Sequence, residues 1–435
     1  MSCLFRITET DPKDWKYVSE GGSTVVFSYA GPANPQFDRT VLRLQKVGIS
    51  DSIARSSESP AEDLVDPGII FHHTVISKLV PAQYLPHLEP VLVGRGWLLH
   101  LAQLCQAQRP QDRRVKDCVD VRCRKAVLAT DFVGGPGWAV EIKPKWGFLP
   151  SPTYLSPSTR SIKTRTCRFC MHAHLKYTRG DIVACGYCPL DLYSGEQTRV
   201  RRALHALWNA WIGSSGRINN LRVFVGGKLL EPTFEPSSLR ELALEFGSVS
   251  LSDNFVAINQ LRDQFTAILL PIILETPVLH TLSTLQRTLD ELDIEGLAAL
   301  WTRARANGVD SPPPALGDGI SQPTIDEWTR FISDYTSKIH TPGQFGKEPQ
   351  VHELRYYCLA YLLSTTFKDC SIILRMRPLK EGVHHSCDNF DSSVTVIDLD
   401  VKSISRMQKW AKQDREIVET YAKTERHECQ DRYRW

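Results

Sequence analysis

Short apolar segments alternate with turn-forming residues in the first part of the chain. Val25–Tyr29 and Thr40–Leu44 are rich in β-branched and aromatic residues, and the glycine, prolines and asparagine of residues 31–35 separate them. A third apolar run, Ala126–Phe132, ends in the sequence Gly134-Gly135-Pro136-Gly137. The pattern predicts a β-rich amino-terminal region, and we expect the glycine-rich turn to act as a hinge to the rest of the chain.

The remainder of the chain mixes helical and strand periodicity. Helices are predicted over residues 198–211, 353–366 and 404–421 and as a pair within 253–306, and strands over residues 139–142, 221–225, 371–376 and 394–399. Residues 91–106 allow a helix or a strand followed by a helix, residues 48–66 predict a polar loop, and residues 308–323 predict a linker. We therefore predict an α+β fold, with a β-rich lobe at 1–125, a hinge at 126–138 and a larger mixed lobe at 139–435.

The composition is that of an ordinary globular protein. Hydrophobic residues make up 42% and the formal net charge is only +3, so a site for a polyanion has to be built from local clusters of lysine and arginine. The most apolar stretch, Ala267–Leu274, is too short to span a bilayer, and the first residues do not resemble a signal peptide. With twelve cysteines in a chain of this kind, we expect a soluble intracellular protein whose cysteines are thiols or metal ligands.

A glycine pair near the amino terminus is a candidate phosphate-binding turn. Gly21 and Gly22 allow the backbone to approach phosphate oxygens, and Ser23 adds a hydroxyl donor. An ordinary β-turn on a surface hairpin explains the same residues. Arg43 on the next predicted strand favours the phosphate site, because kinase-like folds place a nucleotide-binding cation there.

The sequence Glu141-Ile142-Lys143-Pro144-Lys145 is a second candidate site. In an extended segment, alternate residues share a face, so Glu141, Lys143 and Lys145 are predicted to point the same way. Converging cations would neutralise the charge that spreads over a transferred phosphoryl group. The alternative is a solvated strand edge.

Two carboxylates follow apolar segments later in the chain. Asp369 precedes the strand at 371–376, and Asp398 ends the strand at 394–399. A kinase site needs one carboxylate to orient the attacking hydroxyl and another to hold magnesium, although a single such aspartate is often only a turn cap. Lys402 and Arg406 follow at helical spacing and predict a cationic face, which is either a solvated surface or part of a polyphosphate site.

Four cysteines occur as two Cys-x-x-Cys pairs. Cys167 and Cys170 form the first pair, and Cys185 and Cys188 form the second. Such pairs are typical of a zinc site, and the alternative is four reduced thiols buried in a compact insertion.

These segments, in this order, resemble the inositol-pentakisphosphate 2-kinase family along nearly the whole chain. The matching stretches are residues 20–23 (EGGS), 41–44 (VLRL), 141–150 (EIKPKWGFLP), 167–176 (CRFCMHAHLK), 187–195 (YCPLDLYSG), 219–224 (NNLRVF), 368–372 (KDCSI) and 398–402 (DLDVK). The resemblance implies a two-lobed fold distantly related to protein kinases, with an inositide-binding subdomain at about 160–350 inside the larger, catalytic lobe. It also implies ATP-dependent phosphorylation of the 2-hydroxyl of inositol 1,3,4,5,6-pentakisphosphate, which gives inositol hexakisphosphate.

The resemblance further implies a role for each matching residue. ATP is expected to contact Gly21, Gly22, Ser23, Arg43, Glu141, Asn220 and Asp398, with Mg²⁺ on Asp398. Asp369 is expected to be the base that receives or orients the proton of the 2-hydroxyl, and Lys143 to act at the transferred phosphoryl group. The phosphates of the inositide are expected to contact Lys143, Lys145, Lys176, Asn219, Asn220, Arg222, Lys402 and Arg406.

The chain departs from the family pattern at several places, among them Trp410, where some members have tyrosine, and Cys185, which belongs to none of the matching strings. Thr130-Asp131-Phe132 occupies the hinge without the family's more usual histidine, and Cys358 and Cys370 do not form the Cys-x-x-Cys pair of the family's late zinc cluster. Zinc is therefore expected only on Cys167, Cys170, Cys185 and Cys188. We expect a monomer in the nucleus, the cytoplasm or both, with no membrane span and no required nucleic acid.

Two alternative functions are consistent with parts of this sequence. One is a small-molecule kinase for a less charged substrate, which would not need the clustered lysines and arginines. The other is a non-catalytic zinc-containing module that binds RNA or phosphoinositides. RNA readers usually present exposed aromatic residues beside their basic patches, and the two carboxylates would have no role in such a module.

Overall fold

The computed structural model describes residues 6–22, 24–50, 66–233, 236–246, 254–305, 314–339, 346–378, 390–425 and 427–432. The strands are β1 (Trp15–Glu20), β2 (Thr24–Tyr29), β3 (Thr40–Gly48), β4 (Leu88–Leu92), β5 (Asp117–Val119), β6 (Lys125–Thr130), β7 (Trp138–Ile142), β8 (Leu221–Val225), β9 (Lys228–Leu229), β10 (Ser371–Pro378) and β11 (Phe390–Ile397). The α-helices are α1 (Pro67–Thr74), α2 (Arg95–Cys105), α3 (Gln111–Arg114), α4 (Pro157–Lys163), α5 (Arg168–Thr178), α6 (Pro189–Leu192), α7 (Gln197–Gly213), α8 (Arg240–Glu245), α9 (Asn254–Glu275), α10 (Val278–Leu289), α11 (Asp293–Arg305), α12 (Ile325–Ile339), α13 (Leu354–Lys368) and α14 (Met407–Tyr421).

The first sheet is antiparallel, in the order β1-β2-β3-β6-β4, and β5 pairs with β3. Alternation along β2 and β3 buries Val25, Phe27 and Leu42 on one face, where they pack against α2. The other face carries a smaller apolar cluster that includes Val41 and Val127. The sheet therefore has a thick core on one side and a thin apolar surface on the other.

The second sheet is also antiparallel, in the order β11-β10-β7-β8-β9. All five residues of β7 are buried, because this strand lies in the middle of the sheet and is covered by helices. Trp138 packs against Phe265 of α9, and Trp208 of α7 packs against the same ring. This large helical core holds the central strand, and with it Glu141, in a fixed position.

The chain crosses from the first sheet to the second through a clamped turn. A carboxylate oxygen of the buried Asp131 accepts hydrogen bonds from the main-chain N–H groups of Val133 (2.9 Å) and Gly134 (2.7 Å). The guanidinium group of Arg375 on β10 donates to the carbonyl of Gly134. Gly135 has a φ of 79°, which favours glycine. The glycine-rich turn predicted as a hinge is therefore tied to both sheets by buried charged groups.

Most predicted elements are present. The antiparallel sheets and their helices agree with the predicted α+β class. The predicted pair of helices within residues 253–306 is wrong in number, because the described part of that segment holds α9, α10 and α11. Pro277 is the N-cap residue of α10, and Asp293, at a φ of 60°, is the first residue of α11. Helix α1 was not predicted, and residues 51–65 of the predicted polar loop lie outside the described residues.

No single helix within the described residues has both the length and the hydropathy needed to cross a bilayer. The bent pair Ile258–Glu275 and Val278–Arg305 meets those requirements only when its two parts are taken together.

Candidate active site

A cleft of about 870 Å³ lies between the two sheets. Its apolar walls are the thin face of the first sheet, with Val26, Val41 and Val127, and the facing residues Phe224 and Ile373 of the second sheet. Clefts with apolar walls and a few converging polar groups are the usual form of small-molecule sites. The cleft is also lined by ten of the residues that the sequence predicts as functional: Gly21, Gly22, Arg43, Glu141, Lys143, Lys145, Asn219, Arg222, Asp369 and Asp398.

The glycine turn joins β1 and β2 at one end of the cleft. The main-chain N–H of Gly21 donates to the carbonyl of Thr24 (2.9 Å), and the position of an added Cβ on Gly21 or Gly22 meets no atom within 4 Å. Space above the turn is therefore free for a ligand. Ser23, predicted to contact ATP, lies outside the described residues.

A buried ion cluster supports this turn from below. Glu20, immediately before Gly21, accepts hydrogen bonds from Lys46 of β3 (3.0 Å) and from Arg109 (2.8 Å), and Arg109 also pairs with Asp117 (2.5 Å). Burial opposes ionisation of Glu20, but its hydrogen bonds with Arg109 and Lys46 lower its pKa below the usual value. The cluster therefore fixes the start of the turn.

Arg43 connects the two sides of the cleft. It lies on β3 opposite Val26 of β2, and its Nη2 atom is 3.5 Å from a carboxylate oxygen of Asp400, which follows β11. Both side chains are partly exposed to the cleft. Arg43 is thus placed to contact an anion held beneath the glycine turn.

Two carboxylates and a lysine converge on the second sheet. The hydroxyl of Ser371 lies 2.7 Å from a carboxylate oxygen of Glu141 and 3.2 Å from one of Asp398. Nζ of Lys143 lies 3.2 Å from Asp398 and 3.9 Å from Glu141. Burial opposes the charge of Lys143, but the carboxylates of Asp398 and Glu141 outweigh it and raise the pKa of the lysine. Arg222, opposite Glu141 on β8, approaches its other oxygen at 3.4 Å.

Asp369 lies on the floor of the cleft between two lysines. It follows α13, and its two carboxylate oxygens are each 3.2 Å from an ammonium group, one of Lys145 and the other of Lys402. Partial loss of water would raise its pKa, but the charges of Lys145 and Lys402 outweigh this effect and lower the pKa. Asp369 is therefore held as a carboxylate that is still accessible from the cleft.

The remaining predicted ligands differ in their surroundings. Asn220 is buried and absent from the cleft lining. Its side-chain amide donates to the main-chain carbonyl of Lys143 (3.1 Å), and its main-chain carbonyl accepts from the main-chain N–H of Lys143 (3.0 Å). Lys176 on α5 and Arg406 before α14 are exposed and also do not line the cleft. Asn220 thus supports Lys143 rather than facing the cleft.

His172 on α5 is a half-buried imidazole with cationic neighbours. It lies on α5 one turn before Lys176, and its ring is 3.3 Å from the amide of Gln413 on α14. Burial and the charges of Arg168, Lys176, Arg179 and Lys145 lower its pKa to about 4. The imidazole is therefore neutral at pH 7, and the charge on this part of α5 comes from Arg168, Lys176 and Arg179.

Arg113 and His72 are among the cleft residues that were not predicted from the sequence. Arg113 lines the cleft from the side of the first sheet and lies in the arginine-rich sequence Arg109-Pro110-Gln111-Asp112-Arg113. His72 of α1 also lines it, and burial, His73 and Arg43 lower its pKa to about 4. The arginine-rich run was a usable signal for Arg113, whereas His72 depends on the packing of an unpredicted helix.

The cysteine cluster differs from the prediction in one member. Cys167, Cys170, Cys188 and Cys429 place their sulfur atoms within 4.8 Å of one another, whereas Cys185 is exposed and outside the group. The predicted ligand Cys185 is therefore wrong, and Cys429 from the end of the chain takes its place. The main-chain N–H of Cys429 donates to the carbonyl of Arg165 (2.8 Å), which fixes this distant residue beside α5.

Comparison with known proteins gives one family. The sequence profile of inositol-pentakisphosphate 2-kinase matches residues 17–416. The chain belongs to this family. An inositol-pentakisphosphate 2-kinase from Cryptococcus neoformans var. neoformans serotype D is 34% identical over 96% of this chain and 95% of its own length. Those of Arabidopsis thaliana and Danio rerio are 28% and 26% identical, over 97% and 96% of this chain and 96% and 95% of their own lengths.

Membership of the inositol-pentakisphosphate 2-kinase family confirms two predictions. The family predicted from the short sequence strings is correct, and the chain is an enzyme of the kinase class. The alternative of a non-catalytic module is not favoured, because the match covers the glycine turn and both carboxylate-bearing segments.

Proposed function

We propose that this enzyme transfers the γ-phosphoryl group of ATP to the 2-hydroxyl of inositol 1,3,4,5,6-pentakisphosphate and releases ADP and inositol hexakisphosphate. The observation that carries the proposal is Asp369, an accessible carboxylate held ionised between Lys145 and Lys402 on the floor of the cleft. A kinase needs such a group beside the attacking hydroxyl and needs cations around the phosphates. The names of the relatives support the choice of substrate.

The nucleotide would occupy the end of the cleft beneath the glycine turn. The adenine ring would lie between the apolar walls, and Gly21, Gly22 and Arg43, which line the cleft, would contact the triphosphate. Oxygen ligands suit Mg²⁺, and Glu141 and Asp398 offer carboxylates that converge on the same Ser371 hydroxyl. When bound, the ion would neutralise charge on the phosphates, and these two residues would hold it.

In the transfer, the oxygen of the 2-hydroxyl forms a bond to the γ-phosphorus, and the bond from that phosphorus to the bridging oxygen of ADP breaks. Asp369 accepts the proton of the hydroxyl. Lys143, held by Asp398 and Glu141, lies where it would stabilise the charge on the transferred group. No covalent enzyme intermediate is required.

The inositide would lie over the lysines and arginines near Asp369. Lys143, Lys145 and Arg222 line the cleft, as does Arg113, and Lys402 reaches Asp369 from the loop after β11. Lys176 of α5 and Arg406 at the start of α14 would supply the outer contacts. Lys402 lies in the loop four residues before Arg406, so the helical face that the sequence predicts for this pair is not formed. Five phosphates need many fixed cations, and these lysines and arginines supply them although the whole chain carries a net charge of only +3.

The remaining parts of the proposal concern organisation. We propose a two-lobed relationship to protein kinases, with lobes at 1–125 and 139–435, a hinge at 126–138 and an inositide-binding subdomain at about 160–350. The cleft between two separately packed sheets supports this division. We also propose a monomer that works in the nucleus, the cytoplasm or both and does not require nucleic acid.

We further propose that Cys167, Cys170, Cys188 and Cys429 hold one structural zinc ion. A tetrahedral site with Zn–S bonds of about 2.3 Å places its sulfur atoms about 3.8 Å apart, and the sulfurs of Cys167 and Cys188 are 3.8 Å apart. The N–H of Cys170 also donates to the sulfur of Cys167 (3.4 Å), which would stabilise a thiolate at the start of α5. Such an ion would attach the end of the chain to the helix that carries Lys176.

The deciding experiment is incubation of the purified protein with magnesium-ATP and a panel of inositol phosphates, followed by separation of products on an anion-exchange column. Conversion of the 1,3,4,5,6-pentakisphosphate to the hexakisphosphate supports the proposal, and Asp369→Asn serves as the inactive control. Phosphorylation at another position, or of no member of the panel, overturns it.

A further inference from the structure

Three buried side chains bind the main chain of the Lys143-Pro144-Lys145 segment. The hydroxyl of Tyr187 donates to the carbonyl of Pro144 (3.0 Å), and the hydroxyl of Tyr193 donates to the carbonyl of Lys145 (3.3 Å). The amide nitrogen of Gln286 donates to the same carbonyl of Lys145 (3.1 Å). We call these three residues the Lys145 clasp.

Gln286 joins this segment to the one that carries Asp369. Its side chain is fully buried on α10, and its Nε2 atom also donates to the carbonyl of Phe367 (2.9 Å), two residues before Asp369. Its Oε1 atom accepts from the main-chain N–H of Gly147 (2.8 Å). Both functional groups of one rigid amide therefore fix the separation between the two segments.

The conformation of Lys145 explains why such support is needed. Lys145 has a φ of 66°, in the left-handed region that residues with a side chain rarely occupy. A Cβ added to Gly147 would lie 2.8 Å from the ring of Tyr193, so this ring covers the backbone directly after Lys145. The strained turn is thus held from both sides by the clasp.

We infer that Tyr187, Tyr193 and Gln286 are positioning residues, which hold Lys145 at hydrogen-bonding distance from the carboxylate of Asp369. The inference rests on the proposed function, because it gives this lysine–aspartate pair a role in the reaction. It also accounts for the tyrosines in the string YCPLDLYSG at residues 187–195, neither of which lines the cleft. Their hydroxyl groups act on the cleft through the backbone of residues 144 and 145.

The pH dependence separates positioning from simple stabilisation. Asp369 is faced by Lys145 from the loop after β7 and by Lys402 from the loop after β11, and Lys143 interacts with it at longer range. If the clasp is broken, Lys145 moves away and less positive charge faces Asp369. The carboxylate then protonates at a higher pH, and the acid limb of kcat/KM moves upward. Loss of stability alone does not move this limb.

The test uses Gln286→Leu, Tyr193→Phe and Tyr187→Phe in the full-length enzyme, with Tyr335→Phe as a matched control. Tyr335 is as buried as the clasp tyrosines, and among the described residues its hydroxyl bonds to Thr288 (2.6 Å), which is not a member of the clasp. We expect kcat to fall about tenfold to a hundredfold in the clasp variants. We expect their acid limb to rise by about one pH unit and that of Tyr335→Phe to stay in place.

The outcomes are distinguishable from failure of the proposed function. If the wild-type enzyme phosphorylates no inositol phosphate, the proposed function itself falls. If the wild type is active and the clasp variants only melt at lower temperature, with unchanged kcat and acid limb, the positioning role is overturned. If Gln286→Leu does not fold, Tyr193→Phe and Tyr187→Phe decide the question, because each removes a single hydroxyl and keeps the ring.

Discussion

Lys402 extends from the loop after β11 and places its ammonium group 3.2 Å from a carboxylate oxygen of Asp369. The other oxygen of Asp369 is held at the same distance by Lys145. A carboxylate between two ammonium groups remains ionised, and one that is accessible from a cleft can accept a proton from a bound hydroxyl.

Replacing Asp369 with asparagine should stop the chemical step. The amide cannot accept the proton, so we expect kcat to fall by roughly 10²- to 10⁴-fold while the affinity for inositol pentakisphosphate stays nearly unchanged. Initial rates and calorimetric titration measure the two quantities. Asp391→Asn, at the far end of β11 and outside the cleft, is the matched control. A loss of activity that comes entirely from a higher KM would contradict the role of Asp369 as base.

Replacing Lys402 with methionine should move the acid limb of the pH profile. Lys402 lowers the pKa of Asp369, and activity requires the ionised form, so activity is lost as the pH falls through this pKa. Without Lys402 the pKa rises, and the acid limb of kcat/KM should appear at a higher pH. Lys412→Met, on the exposed side of α14, should leave it in place. An unmoved limb in Lys402→Met would mean that another group controls it.

Asp398→Asn should act through magnesium instead. Asp398 and Glu141 are the proposed carboxylate ligands, and removal of one charge weakens the attraction for a divalent ion. We expect a higher Mg²⁺ concentration at half-maximal rate and partial recovery at high Mg²⁺, whereas Asp369→Asn should not recover. Rates measured across a magnesium titration distinguish the two variants. Equal behaviour of both would contradict the separate roles.

Local patterns predicted much of the cleft. Glu141 and Asp398 lie at the ends of apolar strands, and strand positions can be predicted from apolar and β-branched residues alone. The family string predicted that Asn220 contacts ATP and the inositide. In the structure its side-chain amide instead donates a hydrogen bond to the main-chain carbonyl of Lys143. The sequence does not specify which of the two neighbouring asparagines faces the cleft, because both lie in the turn before β8, where side chains do not alternate between two faces.

Long-range relationships were not predictable in the same way. Cys185 lies only three residues before Cys188. The fourth sulfur of the cysteine cluster nevertheless comes from the distant Cys429, which the tertiary fold places beside α5. Gln286 and Tyr193 likewise act on Lys145 from distant positions in the chain. Such contacts depend on how helices pack across one core, and a single sequence carries no local signal for them.

The cysteine cluster should hold about one equivalent of zinc in protein purified without added metal. Tetrahedral thiolate sites bind zinc tightly and contribute to folding stability, so Cys429→Ser should lose the metal and unfold at a lower temperature. Cys185→Ser is the matched control and should keep the metal, because that residue is exposed and outside the cluster. Metal analysis of the three proteins is the measurement. Wild-type protein that is folded, active and free of zinc would contradict the site.

The last prediction concerns the outer part of the inositide site. Lys176 and Arg406 are exposed, and within the described parts of the chain neither forms an ion pair, so their charges are available to a ligand. If both bind phosphates, replacement of either by alanine removes a charged hydrogen bond worth about 1.5–3 kcal/mol, which is roughly a ten- to hundredfold loss of affinity. The loss should shrink as salt is raised, because exposed charges are screened. The affinity for ATP should hardly change, since both residues lie outside the cleft wall assigned to the nucleotide.

The measurement is a titration of Lys176→Ala and Arg406→Ala with inositol pentakisphosphate at two salt concentrations. The control is Lys13→Ala, because Lys13 is an exposed lysine that lies just before β1. Equal weakening of ATP and inositide binding would show that α5 and the start of α14 support the fold, and unchanged inositide binding would place the phosphates elsewhere.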